Sequence, residues 1–282
     1  MDRNLLLLVD GSNLLFQMFY GMPARIAGKD GRPIQGTLGF VGALLKIIRR
    51  VNPTHVLVLF DGQGVNDRVK LLDDYKSNRV DYSTVDDEDN PYTQLGDICR
   101  ALDCMGICHS ECTGYEADDA LASLTYEHRR GFDIVISSFD SDLFQLIDAN
   151  VKILRYRGEK SVLCDLDWLK DKYGITPGQY VFFKALTGDT ADNIKGVPGV
   201  GPKTAAQLVN TFADAEDMLS HSDQITKPSV RKAVCQHSDR VQRNLQLIRL
   251  REDVPLPFEI EKLQYTDRGY TTMEVLRLCD LR

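Results

Sequence analysis

The chain has 282 residues, enough for one large domain or two modest ones, and 43% are hydrophobic, as in ordinary globular proteins. Its net charge of -7, from 34 bases and 41 acids, argues by itself against a nucleic-acid partner. No apolar run approaches the roughly 20 residues that span a bilayer, and no signal-peptide pattern opens the chain, so no membrane partner and a cytoplasmic location are expected.

Leu5–Val9 reads as a first strand and runs into Asp10; a helix follows through Phe19 and Tyr20. Thr37–Val51 is helical, with Leu38, Val41, Leu44, Leu45 and Ile48 on one face, and Pro53 ends it. A second strand over 55–60 leads to Asp61. Residues 62–90 are polar and lack a long apolar period, the mark of a functional insertion. Their acidic run Asp86–Asp89 reads as a solvated loop tip. A helix over 91–105, a strand over 106–109, a helix over 116–129 and a strand over 132–137 complete an alternating pattern. Such alternation predicts an α/β fold with a doubly wound, mostly parallel sheet. From Thr176-Pro177, an N-cap with proline at the first helical position, the chain turns helical. Further helices are expected over 203–211, 229–236, 239–250 and 271–279. The expected division is 1–175 for the α/β core and 176–282 for the helical region.

Carboxylates recur where these apolar runs end: Asp10, Asp61, the Glu116-Ala117-Asp118-Asp119 cluster, Asp140 and Asp142. Asp189 and Asp192 come later. Functional groups in open parallel sheets gather at the carboxyl ends of strands, so these nine acids should converge. One such aspartate alone would be an ordinary cap or turn residue. Nine converging negative charges require cations, and an all-oxygen donor set favours Mg²⁺ or Mn²⁺. Without these nine, 32 acids face 34 bases, so a basic face elsewhere remains open. Two metals about 4 Å apart can clamp a phosphodiester. The five histidines are scattered, and no Ser–His–Asp or Cys–His set is evident. Cys104, Cys108 and Cys112 with His109 lack a second close doublet, so they read as small buried residues rather than a zinc site. Free thiols fit a reducing compartment.

Two basic motifs stand beside the acids. Gly196, Gly199 and Gly201 precede Lys203 and Thr204, a tight turn into a helix that suits backbone binding of phosphate better than an ordinary turn. Lys76 and Arg79, with Arg68 and Lys70 before them, lie in the insertion. They either steady a phosphate above the acidic site or form a solvated charged loop.

Together these motifs resemble the 5′-nuclease family, which includes flap endonucleases and the 5′→3′ exonuclease domain of bacterial DNA polymerase I. Asp10, Phe60-Asp61-Gly62, Tyr75-Lys76 with Arg79, Gly114–Asp119, Asp140-Ser141-Asp142, Gly188-Asp189 with Asp192–Ile194, and Gly196–Ala205 occur in the family's order. The resemblance runs from the first strand to about residue 250. It implies a PIN/5′-nuclease-like fold with a helical arch at about 62–90 and a helix–three-turn–helix at about 182–210. By it, Asp10, Asp61, Glu116 and Asp118 hold one metal, with Asp119 behind them. Asp140, Asp142, Asp189 and Asp192 hold the second. Lys76 and Arg79 lie in the arch that admits single-stranded 5′ ends. The hairpin grips duplex DNA through a K⁺ ion, and Tyr20 stacks on a base. The implied activity is cleavage near 5′ flap–duplex junctions by a monomer, on DNA flaps, 5′ ends or RNA primers.

The chain departs from the family pattern at Phe139, where threonine is usual beside Asp140, and in the acidic run of the arch. No polymerase domain follows, so a stand-alone form is expected. Two other readings remain: a non-catalytic structure-specific DNA-binding protein and a PIN-type ribonuclease. The full carboxylate set disfavours the first and the glycine hairpin the second. A phosphatase with Asp10 as nucleophile needs an acid two residues on, where Ser12 stands.

Overall fold

A computed structural model describes residues 3–22, 24–62, 68, 71–256 and 258–282. At its centre is a six-stranded sheet in the order β3-β2-β1-β4-β5-β6. The strands are β1 (Asn4–Asp10), β2 (His55–Asp61), β3 (Cys108–Cys112), β4 (Phe132–Ser137), β5 (Val151–Arg155) and β6 (Val162–Cys164). All neighbours pair in parallel except β5 with β6. The final pair and the short helix Leu166–Tyr173 were not anticipated, because Val162–Cys164 is too short to show a period. β3 begins two residues later than expected and extends to Cys112.

Alternation along β1 divides the core. Leu6 and Leu8 face one apolar cluster, and Leu7 and Val9 face another on the opposite side. The second cluster is covered by α1 (Gly11–Gly21), α2 (Gln35–Val51) and α3 (Leu95–Met105), through Leu14, Phe40 and Ile98. The first is covered by α4 (Ala117–His128) and by the helical region, including Tyr180, Phe183, Leu208 and Leu247. Each fully buried side chain of this kind contributes roughly 1.5–3 kcal/mol. The helical region thus packs directly on the sheet. The last helix, Thr272–Leu278, was grouped with that region by sequence, but it lies across the sheet against the α2–α3 side. Its Cys279 thiol donates to Cys104 Sγ at 3.4 Å, so Cys104 joins a packed pair of thiols and not a metal doublet.

The strand order reverses between β1 and β4, which opens a crevice at their carboxyl ends. Only part of the 62–90 insertion is described. Residues 68 and 71 have helical backbone, and 71–90 continue as turns with two short 3₁₀ helices, Tyr82–Thr84 and Asp87–Asp89. The remainder of the expected arch, including Lys70, falls outside the described residues. The acidic tip is exposed but not merely solvated, since Arg25 pairs with Glu88 and, at 2.6 Å, with Asp89.

Candidate active site and metal centre

Asp10 ends β1 and caps α1. Its Oδ1 accepts from the Asn13 N–H at 2.9 Å and its Oδ2 from the Ser138 hydroxyl at 2.7 Å. Ser138 Oγ in turn accepts from the Asp140 N–H at 2.9 Å, which ties the end of β1 to the loop after β4. Asp140 Oδ1 accepts from the Asp142 N–H at 2.8 Å. Asp61 ends β2, and its Oδ1 accepts from the Ala117 N–H at 2.9 Å at the start of α4. Asp10 is thus fixed by capping the next helix and Asp140 by a local turn, whereas Asp61 is held by the start of α4, 56 residues away. Asp10, Asp61, Asp118 and Asp140 line one cavity of about 440 Å³, with Lys76 and Arg79 in its wall.

A second group lies alongside. Ligand oxygens of Asp142, Asp189 and Asp192 all fall within 4.8 Å of one another. Asp140, assigned to this group by resemblance, lines the cavity of the first group, so it stands where the two meet.

Cationic side chains are distributed unevenly among these acids. Lys76 pairs with Glu116, and Arg79 Nη2 lies 2.7 Å from Asp192 Oδ1. Asn78 and Asn193 bind the two segments to each other, through the Thr190 and Asp74 carbonyls at 3.0 and 2.9 Å. Lys76 itself sits at φ 56°, an uncommon conformation for a non-glycine residue. Arg68, expected to meet phosphate, is instead buried. Its guanidinium makes two bonds to Asp119, at 2.7 and 3.1 Å, and also pairs with Glu116. Asp119 also accepts from the Arg251 N–H at 2.9 Å. The Arg68–Asp119 pair therefore braces α4 from behind rather than facing the cavity.

Lys184 was not singled out by sequence. It is buried, pairs with Asp189, lies 3.5 Å from Asp142 Oδ1 and donates to Ser141 Oγ at 3.1 Å. It lies in the last turn of the helix Pro177–Thr187, five residues before Asp189, a spacing that no helical pairing rule singles out.

The pairing decides the protonation. Burial, then Asp61, pushes the Asp10 carboxyl up to about 7. Burial, then Asp140, pushes Asp142 up to about 8 and also holds Asp118 well above the usual carboxylate range. Burial raises Asp140 as well. Burial opposes ionisation of Glu116 too, but Lys76 and Arg68 hold it below the usual range; Lys184 does the same for Asp189. Among the described residues, four cations pair with these nine carboxylates, a formal excess of five negative charges. Asp142 Oδ1 is also buried without a hydrogen-bond partner. An oxygen-only, charge-deficient donor set fits hard divalent cations.

Two family models cover most of the chain: a 5′-3′ exonuclease N-terminal resolvase-like domain over residues 5–174, and a 5′-3′ exonuclease C-terminal SAM fold over 175–270. The chain belongs to the 5′-3′ exonuclease family. Thermostable DNA polymerase I of Thermus thermophilus is 34% identical over 263 residues, 93% of this chain and 30% of that protein. DNA polymerase I of Rhizobium leguminosarum is 35% identical over 266 residues, 92% of this chain and 26% of that protein. The chain thus spans under a third of the length of these relatives. Among solved structures, the zinc-bound phage T5 5′-exonuclease superposes with a TM-score of 0.72 at 22% identity, covering 87% of this chain and 89% of the other. The T5 flap endonuclease in a pseudo-enzyme–product complex with DNA and metal ions gives 0.71 at the same identity and coverage. These confirm the α/β fold with its C-terminal helical region.

In this member of the 5′-3′ exonuclease family the glycine turn links the helices Pro177–Thr187 and Pro202–Thr211. Gly196 is required by close packing, since a Cβ there would meet the Thr187 backbone at 2.4 Å. Gly199 is required by its φ of +78°. Gly201 has neither reason: it is extended at φ −90°, and a Cβ would meet nothing within 4 Å. Lys203 lies in the first turn of the following helix and is exposed; Thr204 beside it is half-buried. The Gly196 carbonyl accepts from Arg240 at 3.0 Å, and Asn244 Nδ2 donates to the Ala185 and Lys195 carbonyls, each at 3.0 Å.

Phe139 does not leave Asp140 without a polar neighbour, because Ser138 supplies the hydroxyl. The Phe139 ring instead carries Arg155 and Arg157 at 5.1 and 4.8 Å. Tyr20 is exposed, and its hydroxyl meets that of Tyr82 at 2.9 Å.

Proposed function

We propose that this chain is a structure-specific 5′ nuclease that hydrolyses phosphodiesters near 5′ flap–duplex junctions. One observation carries the reading. Buried carboxylates from separate segments, in excess of the cations among the described residues, converge on a single cavity whose wall holds Lys76 and Arg79. Asp10, Asp61, Glu116 and Asp118 form one cation site; Asp140, Asp142, Asp189 and Asp192 form the other, for Mg²⁺ or Mn²⁺. Cations bound there supply Lewis acidity to water and phosphate.

The chain's own groups do the rest. Lys76 and Arg79 now compensate Glu116 and Asp192. With Glu116 and Asp192 engaged in holding cations, both side chains would be free to hold the phosphate charge that develops during hydrolysis. Phe16, Tyr82 and Tyr92 add apolar surface to the same cavity. The Gly196–Thr204 turn binds duplex phosphates without reading sequence, with K⁺ among its backbone carbonyls. Substrates are DNA with 5′ flaps or 5′ ends and RNA primers, and the protein acts as a cytoplasmic monomer.

A labelled 5′-flap duplex, set against single strand and blunt duplex, with Mg²⁺ and with chelator, tests the reading. Mg²⁺-dependent cutting at the junction is expected. Binding without cutting supports the DNA-binding alternative, and cutting of single-stranded RNA alone supports the ribonuclease.

A further inference from the structure

A second cavity, of about 720 Å³, adjoins the acidic one and shares Asp61, Val80, Tyr82 and Tyr92 with it. The Tyr82 and Tyr92 rings meet edge to face at 5.6 Å, and both cross Phe16, at 5.2 and 5.3 Å. An aromatic wall therefore stands between the two spaces, and Tyr92 is 39% exposed.

The lining chemistry of the described residues disfavours phosphate. Beyond the wall lie Asp81, Ser83, Gly96, Cys99 and Glu111, and no Lys, Arg or His lines the cavity among the described residues. Phosphate would meet Asp61, Asp81 and Glu111, with only the neutral donors of Ser83, Asn90 and the tyrosines to set against them. A neutral, flat group with a π face and amine donors suits both the rings and the acids.

Gly96 points the same way. It lies in the first turn of α3, where alanine would favour the helix, and a Cβ there would meet nothing within 4 Å. Neither packing nor φ requires glycine at this position. What its missing side chain leaves open is the cavity.

We propose that this cavity receives an unpaired nucleobase of the strand being cut, stacked on Tyr92 in the space left by Gly96. Stacking is sequence-tolerant because every base has a π face. A base drawn behind the wall would leave its own phosphodiester on the acidic side, which favours an unpaired strand over intact duplex. The inference rests on the nuclease reading above.

The test uses the full chain with Ca²⁺ in place of Mg²⁺ and flap duplexes carrying 2-aminopurine at each position flanking the junction in turn. Quenching at one or two positions is expected on binding. Tyr92→Ala and Gly96→Leu should each abolish it there, while Tyr92→Phe and Gly96→Ala keep it. In Mg²⁺, removing the base at that position should slow single-turnover cleavage about tenfold in the parent and little in Tyr92→Ala or Gly96→Leu. Thermal melts confirm that the variants fold. A protein that binds and cuts flaps but quenches no position, or quenches equally in Tyr92→Ala and Gly96→Leu, overturns the cavity assignment alone. A protein that does not bind flap duplex overturns the nuclease reading and this inference together.

Discussion

Lys184 Nζ lies 3.5 Å from Asp142 Oδ1 inside the acidic cluster, while Asp142 is pushed up to about 8 by burial and its acidic neighbours. Lys184, shared with Asp189, and Arg79 on Asp192 are two cations against three aspartates whose oxygens lie within 4.8 Å of one another. Lys184 thus acts as a partial counter-ion where the fold leaves negative charge in excess.

Replacing it should separate two effects. Lys184→Met removes a competing positive charge, so Mn²⁺ should bind about tenfold more tightly at the second cluster. Without metal, the same variant should lose about 3 kcal/mol, because buried carboxylates lose their partner. Calorimetric titration with Mn²⁺ and melts in chelator measure the pair. Unchanged Mn²⁺ affinity would remove Lys184 from the metal centre.

The raised carboxyls make the metal-free protein pH-sensitive in a defined direction. Asp10 and Asp142 hold protons in the folded state up to about 7 and about 8, against 3.8 for the free side chain. Between about pH 4 and pH 8 the folded state binds more protons than the unfolded one, so stability falls as pH rises. Below pH 4 this contribution is fully present. Divalent cations should reverse the trend. Saturating Mn²⁺ should raise Tm by about 5 °C or more at pH 8 and by much less at pH 5. Thermal melts at the two pH values, with Mn²⁺ and with chelator, provide the check. An equal metal shift at both would show that these carboxyls do not hold the ion.

Asp140→Asn and Asp189→Asn should abolish flap cleavage in Mg²⁺ yet leave duplex binding intact, since less negative charge near phosphate does not hinder association. Cleavage assays paired with anisotropy resolve the two. Parental cleavage rates in either variant would refute the two-metal assignment.

Lys76→Ala should lower the single-turnover rate about a hundredfold at saturating enzyme, with little change in affinity. Glu116 keeps Arg68 as a partner, so the variant should fold. Equal rates would make Lys76 a counter-ion of Glu116 and nothing more.

The hairpin glycines should behave in three ways. Gly196→Ala forces a Cβ to 2.4 Å from the Thr187 backbone and should destabilise the region. Gly199→Val places a β-branched residue at φ +78°, at a cost of roughly 1–3 kcal/mol. Gly201→Ala meets no protein atom and should melt like the parent, yet weaken binding to two unrelated duplexes alike. Anisotropy as a function of salt and of K⁺ against Na⁺ reads this, since phosphate contacts weaken as salt rises. Unchanged Gly201→Ala affinity would move the duplex contact elsewhere.

The sequence by itself determined what is local. Buried strands appear as apolar runs, and an acid at or just beyond the end of a run marks the carboxyl edge, so the convergence of Asp10, Asp61 and Asp140 could be read in advance. The same holds for the Thr176-Pro177 helix start and for Gly199, where backbone conformation demands the residue. Only the tertiary structure decided which charges meet. Arg79 and Asp192 are 113 residues apart, and Arg68 and Asp119 are 51, so no periodicity links them. Packing alone turned Arg68 inward behind α4, set Lys184 among the aspartates and carried the last helix across the sheet. The cavity beyond Tyr92 belongs to the same class, because an empty volume is bounded by residues that share no pattern in the chain.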